Sequence, residues 1–372
     1  MSSSGPADTA AVSERRLPGS PSEVTADWLS AVLSDTDDQV IVDGFDITPV
    51  GTGQTAATYR LAIRYRRRGP DLPDTFVLKL PSQDLAVRDR VALGYRSEHA
   101  FYTQVADSVQ IPVPRCFHCE IADEGREFVL LLEDLSPASQ GDQIRGCGTA
   151  QARLAVEALA GLHGPRWCDP RWASFTGTVM PKPADSAAAT GLGDITALAT
   201  ATTIDTLAGR LGDEDVALLR EAANLVGAWL LLRPDRFGVL HGDYRLDNLL
   251  FHPDGDRVTV VDWQTLAVGL PARDLAYFVG TSFEPSVRAE CERELVDAYH
   301  RALIEHGVTD YSFDECWDDY RIAVLQIPMI TTLGFAFAAA TERGDDMIVT
   351  MLERGCAASR DLGSLDLIRG QL

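Results

Sequence analysis

The chain has 372 residues, 45% hydrophobic and 24% charged, the composition of an ordinary globular protein with core enough for roughly two or three domains, or for one domain of two lobes. Its 55 acidic and 33 basic residues give a formal charge of −22, which leaves no cationic excess for a nucleic-acid backbone, although a locally positive cleft can still take a nucleotide. The N-terminal stretch MSSSGPADTAAVSERRLPGSPS lacks the apolar core of a secretory signal, and the window VLQIPMITTLGFAFAAA, interrupted by Gln326 and Pro328, falls at or below the length of a membrane span, so a soluble, cytoplasmic protein without a membrane partner is expected.

Residues 1–20 read as disordered. SPSEVTADWLSAVL follows as a short capped helix with Trp28, Leu29 and Val32 on one face. FDITPV, ATYRLAIRY and TFVLKL read as strands, separated by glycines or by the turn-rich RRRGPDLPD. One long helix is predicted from about Ala86 to Val109, and RCFHCEIA and REFVLLLE flank Asp123-Glu124-Gly125 as a hairpin. Seven scattered cysteines fit reduced thiols, and Cys116 and Cys119, with His118 between them, find no second pair to complete a four-ligand zinc site. Their reading is therefore a strand with small buried thiols.

Beyond Leu135 the pattern turns helical, with candidates at 149–163, 213–232, 286–306, 313–339 and 342–359 and one small hairpin at 249–263. A strand-rich part, 21–134, followed by a helix-rich part, 135–372, predicts an α+β protein of two lobes with a cleft between them.

The chemistry concentrates in HGDYRLDNLLF at 241–251. Phosphoryl transfer asks a protein for an oriented hydroxyl, metal ions on the phosphates and a cation. Asp243 is placed to accept the proton of an attacking hydroxyl. Asn248 offers an amide oxygen, and Asp262 returns beside it across the hairpin; two oxygen ligands side by side suit magnesium. The plainer alternative is that Asp247 and Asn248 shape a turn and Asp262 ends a strand. In VGTGQTAATYRL, Gly51 and Gly53 let backbone amides approach phosphates, or else make an ordinary turn. Lys79, among Val77, Leu78 and Leu80, needs an anionic partner, and Glu98 lies on the same helical face as Phe101, Tyr102 and Val105. The two are expected to pair.

HGDYRLDNLLF and VVDWQTLAVGLPARDLAYFVG resemble the protein-kinase-like fold, and specifically the aminoglycoside phosphotransferase and choline kinase-like superfamily, over nearly the whole chain after about residue 25. Within it the chain looks similar to bacterial relatives of ecdysteroid kinase-like proteins and of the kinase domain fused to some acyl-CoA dehydrogenases. The resemblance implies a small antiparallel-sheet amino lobe with one long helix and a larger, mostly helical carboxyl lobe. It implies Asp243 as catalytic base, Asn248 and Asp262 as magnesium ligands, Lys79 on the nucleotide phosphates with Glu98 as its partner, and Gly51 to Thr55, Gly53 and Gln54 included, as the phosphate loop. Glu133 to Leu135 would be the hinge whose backbone binds adenine. Asp-Trp-Gln at 262–264 departs from the Asp-Phe-Gly of protein kinases, so the switch built on that Phe and Gly does not carry over. Arg245 stands where protein kinases carry a lysine on the γ-phosphate; that role is set against an ordinary surface arginine.

Only 11 residues separate Asp262 from Asp274, too few for a peptide-docking segment, so a small-molecule hydroxyl is the expected acceptor. Asp274 reads as a cap or loop brace. The acids of DECWDDY suit a cationic acceptor or a solvated face, and ITTLGFAFAAA suits a lipophilic pocket or a core helix. The expected activity is an ATP- and magnesium-dependent small-molecule kinase, with GTP, the acceptor and the oligomeric state left open. The alternatives are a nucleotide-binding pseudokinase, which the intact Lys79, Asp243, Asn248 and Asp262 oppose, and a hydrolase using His241 and Asp243, for which no G-x-S-x-G elbow is present.

Overall fold

The computed structural model describes residues 17–34, 39–50, 56–183, 185–337 and 341–372. The expected phosphate loop, Gly51 to Thr55, lies outside the described residues, as do residues 1–16.

The amino lobe opens with α1 (Ala26–Leu33), capped by the Thr25 side chain on Trp28 N–H. Strands β1 (Ile41–Pro49), β2 (Ala56–Arg67) and β3 (Thr75–Pro81) precede α2 (Leu85–Ala100), and β4 (Cys116–Ala122) and β5 (Glu127–Glu133) follow it. They form one antiparallel sheet in the order β1-β2-β3-β5-β4. Both faces of its middle are covered, which is why FVLLL runs apolar without alternation. Val129 and Leu131 pack with Trp28, Leu29 and Phe76 under α1, while Phe128, Leu130 and Leu132 pack with Tyr95 of α2. Leu17 is also buried in the α1 layer.

The helix expected to reach Val109 is α-helical only to Ala100; a π turn takes Phe101–Val105 and a 3-10 turn Ala106–Ser108. The widened turn keeps Phe101 and Val105 buried at the join between lobes.

The carboxyl lobe contains β6 (Ser139–Gln140), α3 (Thr149–His163), α4 (Ser186–Thr206), α5 (Asp213–Trp229), β7 (Gly238–Leu240), β8 (Leu249–Phe251), β9 (Val258–Val260), β10 (Ala267–Gly269) and α6 (Ala272–Thr281). Helices α7 (Pro285–Glu305), α8 (Phe313–Ala323), α9 (Gln326–Phe337), α10 (Glu342–Asp361) and α11 (Ser364–Arg369) complete it. A single core holds Trp229, Tyr244, Trp263, Phe278 and Tyr299. No helix among the described residues is long and apolar enough to cross a membrane.

Two helical expectations are corrected. The segment 313–339 is not one helix: it breaks after Ala323, where Pro328 has no N–H for the Val324 carbonyl four residues earlier and its ring would crowd that carbonyl. Helix α4 had no counterpart in the reading. Its buried face is made of Ala189, Gly193, Thr196, Ala199, Thr200, Thr203 and Ile204, small or hydroxylated residues rather than a large apolar stripe. They allow a close approach to α5, where a Cβ on Gly193 would stand 3.0 Å from Gly227 N.

Candidate active site

Strand alternation turns Phe76, Leu78 and Leu80 toward α1 and Lys79 toward α2. Lys79 Nζ stands 2.8 Å from each carboxylate oxygen of Glu98 and 2.9 Å from Asp262 Oδ1. The expected pair thus exists and has a third member from the other lobe. Burial works against the ammonium, but Asp262 and Glu98 outweigh it and hold Lys79 above its ordinary range. Glu98 is 1% exposed, and burial raises its carboxyl despite Lys79.

Hairpin β8–β9 pairs Leu249 with Val260, and Val261 N–H continues the ladder to Asn248 O at 3.0 Å. Asp262 therefore follows directly beside Asn248, with φ of +68° turning the chain away. Burial pushes its carboxyl up, but the charge and hydrogen bond of Lys79 prevail and keep it below the usual range. Trp263 is fully buried and stacks on Phe101 at 3.5 Å between ring centroids, while Gln264 Nε2 reaches Glu98 at 3.4 Å. The Asp-Trp-Gln departure is thus built into the join between lobes.

Asp243 sits among donors. Arg245 Nε meets its two oxygens at 3.0 and 2.9 Å, Asn248 Nδ2 reaches Oδ2 at 3.1 Å and the Asp243 carbonyl at 2.8 Å, and Tyr277 donates to Oδ1 at 3.1 Å. The loop backbone is held from α6: the Asp274 carboxylate accepts His241 N–H at 2.6 Å and Gly242 N–H at 3.0 Å. Asp274 is fully buried, so the expected brace is where the fold puts it.

Asp247 carries more than its sequence context suggested. Its Oδ2 takes Arg245 Nη1 at 2.9 Å and Arg343 Nη1 at 3.2 Å, and its Oδ1 takes Gln143 N–H at 3.0 Å and Arg343 Nη2 at 3.2 Å. Arg343 and Gln143 come from distant segments outside the quoted motifs, and Tyr277, although inside VVDWQTLAVGLPARDLAYFVG, reads there as one more apolar helix position, which is why sequence reading missed all three. At the hinge, Glu133 N–H is taken by Arg115 O and the Leu135 carbonyl by Ala138 N–H, while Leu135 N–H has no partner among the described residues.

The remaining candidates are spent elsewhere. Asp319 is buried between Arg233 and Arg236, Glu315 closes a capping box on Ser312, and the Tyr320 hydroxyl donates to Glu292 at 2.8 Å. Cys116 and Cys119 are half-buried thiols on β4, and no group of three or more His, Cys, Asp or Glu among the described residues is arranged to hold a metal ion.

Residues 46–311 match the model of a phosphotransferase enzyme family. A curated relative, acyl-CoA dehydrogenase family member 11 of Gallus gallus, is 24% identical over 269 residues, which cover 65% of this chain and 30% of that protein. Acyl-CoA dehydrogenase family member 10 of Mus musculus is 44% identical over 62 residues, 16% of this chain and 6% of its own. The chain thus spans less than a third of the length of these relatives. Among solved structures, the GDP and kanamycin complex of APH(2")-IIia superposes with a TM-score of 0.50 at 13% identity, covering 91% of this chain and 99% of that one. Macrolide 2'-phosphotransferase MphH from Brachybacterium faecium gives 0.47 at 18% identity, covering 88% and 97%. The two-lobed fold is the kinase-like one, and with the family match spanning most of its length, the chain belongs to the phosphotransferase enzyme family.

Proposed function

We propose that the chain moves the γ-phosphoryl group of a nucleoside triphosphate, ATP before GTP, to a hydroxyl of a small molecule. The observation that carries this reading is the meeting of Asp243, Asn248 and Asp262 at one end of a hairpin, with Lys79 reaching Asp262 from the other lobe. Asp243 orients the acceptor hydroxyl and takes its proton. Lys79 meets the phosphates, with Glu98 holding its side chain, and the Leu135 N–H, without a partner among the described residues, is a donor for the base. Arg245 holds the Asp243 carboxylate through Nε while Asp247 holds Arg245 through Nη1, and its Nη2, without a partner among the described residues, is left for the transferring phosphoryl group.

The donor set fits magnesium: Asn248 and Asp262 offer hard oxygens, and the Asn248 amide nitrogen is committed to Asp243, which fixes the amide's other end as an acceptor. Magnesium supplies charge neutralisation on the phosphates when bound.

A screen of ADP and GDP release over hydroxyl compounds tests the reading, with Asp243→Asn as control. Turnover with at least one compound, lowered roughly 10²- to 10⁴-fold by Asp243→Asn, is expected. Undiminished turnover in that variant removes Asp243 from its role, and nucleotide binding without turnover on any acceptor makes the chain a regulatory module.

A further inference from the structure

Helix α6 meets the catalytic loop from one face at three successive turns. Asp274 takes the N–H groups of His241 and Gly242. Tyr277 donates to Asp243 Oδ1. Thr281 accepts Gln143 Nε2 through both its carbonyl and its hydroxyl at 2.9 Å, and Gln143 Oε1 in turn takes Leu246 N–H at 2.9 Å. Positions i, i+3 and i+7 share a helix face, so a single element sets the loop's backbone before, at and after the reacting carboxylate.

The donors on Asp243 differ in origin. Arg245 and Asn248 belong to the loop itself and travel with it. Tyr277 belongs to a helix whose ten residues are all buried, so its hydroxyl ties the carboxylate to the frame of the lobe. Tyr277 is 2% exposed, and burial together with Asp243 pushes its phenol well above the ordinary range, which keeps it a donor wherever the protein is folded.

We propose that Tyr277 is a positioning residue for phosphoryl transfer, its hydroxyl fixing the rotation of the Asp243 carboxylate. The inference rests on Asp243 acting as base. The charged groups around that carboxylate are Arg245, Asp247 behind it, Arg343 from α10 on Asp247, and the Lys79 and Asp262 pair across the loop; Asp274 on α6 is engaged with the backbone. All remain in Tyr277→Phe, which deletes one oxygen and keeps the ring.

The test is ADP release by Tyr277→Phe, with kcat and KM for nucleotide read separately beside the Tm. Turnover falls about tenfold with KM for nucleotide and Tm unchanged. Site-specific 3-fluorotyrosine at 277, which keeps a donor at nearly the same size, retains the turnover of the wild type. Wild-type turnover in Tyr277→Phe overturns the proposal, and so does a fall in turnover matched by a loss of nucleotide affinity or of Tm, or a 3-fluorotyrosine protein as slow as the Phe variant. Full turnover in Asp243→Asn would instead bring down the base reading, whatever Tyr277→Phe does.

Discussion

Lys79 Nζ and Asp262 Oδ1 stand 2.9 Å apart although 183 residues separate them in the chain. The bond runs from the middle strand of the sheet to the end of the hairpin in the helical lobe, so the two halves of the cleft are tied by one charge pair. Lys79 is the cation of two ion pairs at once, with the buried Glu98 as the other partner.

Lys79→Met therefore harms folding as well as catalysis. It strands Glu98, 1% exposed, with the Gln264 amide at 3.4 Å as its remaining side-chain partner among the described residues. A loss of about 3 kcal/mol in urea unfolding is expected, because a buried charge has lost its counterion. Adding Glu98→Gln recovers part of the stability and none of the turnover. A Lys79→Met protein as stable as the wild type contradicts this.

Asp262→Ala separates nucleotide from metal. Saturating the wild type with ATP and magnesium at about a hundredfold excess over Kd stabilises it by about 2.7 kcal/mol, seen as a higher Tm. In the variant the part of the shift that depends on magnesium shrinks while the magnesium-free part persists. No nucleotide response at any magnesium concentration counts against nucleotide binding altogether.

Asp247 makes the protein acid-sensitive. Burial raises its carboxyl, but the Arg343 hydrogen bonds and the Arg245 charge win and set it below the usual carboxylate range. A carboxyl lowered on folding contributes stability that is present above its unfolded value and lost as pH falls through the folded one. Below about pH 4 the wild type thus loses stability that Asp247→Asn never had, and the difference between their urea midpoints at pH 7 narrows toward pH 3. A constant difference would refute the ion-pair origin.

Gly242→Ala should be among the most damaging single-methyl changes in the chain. Gly242 has φ of +82°, and an added Cβ would lie 2.0 Å from the Thr265 carbonyl oxygen. Strain and clash together cost about 3 kcal/mol or more, and the loop lifts off Asp274, so circular dichroism melting and ADP release should both drop. Wild-type melting would show that Thr265 yields freely.

The legible parts of the sequence were those written in local period. A lysine among the apolar residues of TFVLKL and the helical spacing from Glu98 to Val105 were enough to predict that Lys79 and Glu98 meet, and the short hairpin at 249–263 was enough to bring Asp262 back to Asn248. What stayed hidden has a common cause. The role of Asp247 depends on Arg343, 96 residues away, and that of Gln143 on Thr281, 138 away, and a single sequence carries no record of such pairings. Helix α4 was lost because threonines and small residues do not trace an apolar stripe, and the break before Pro328 because an apolar run masked a backbone constraint.

Helix α2 lies against the sheet, yet it is also fastened the other way. Ser97 donates to the Trp263 carbonyl and accepts Leu266 N–H, both at 3.1 Å, and one turn later Phe101 stacks on Trp263. In mechanical terms α2 is a bolt driven from the small lobe into the large one. Relative displacement of the lobes would then be taken up between α2 and the sheet, and the separation of Lys79 from Glu98 becomes the gauge on which such a displacement is read.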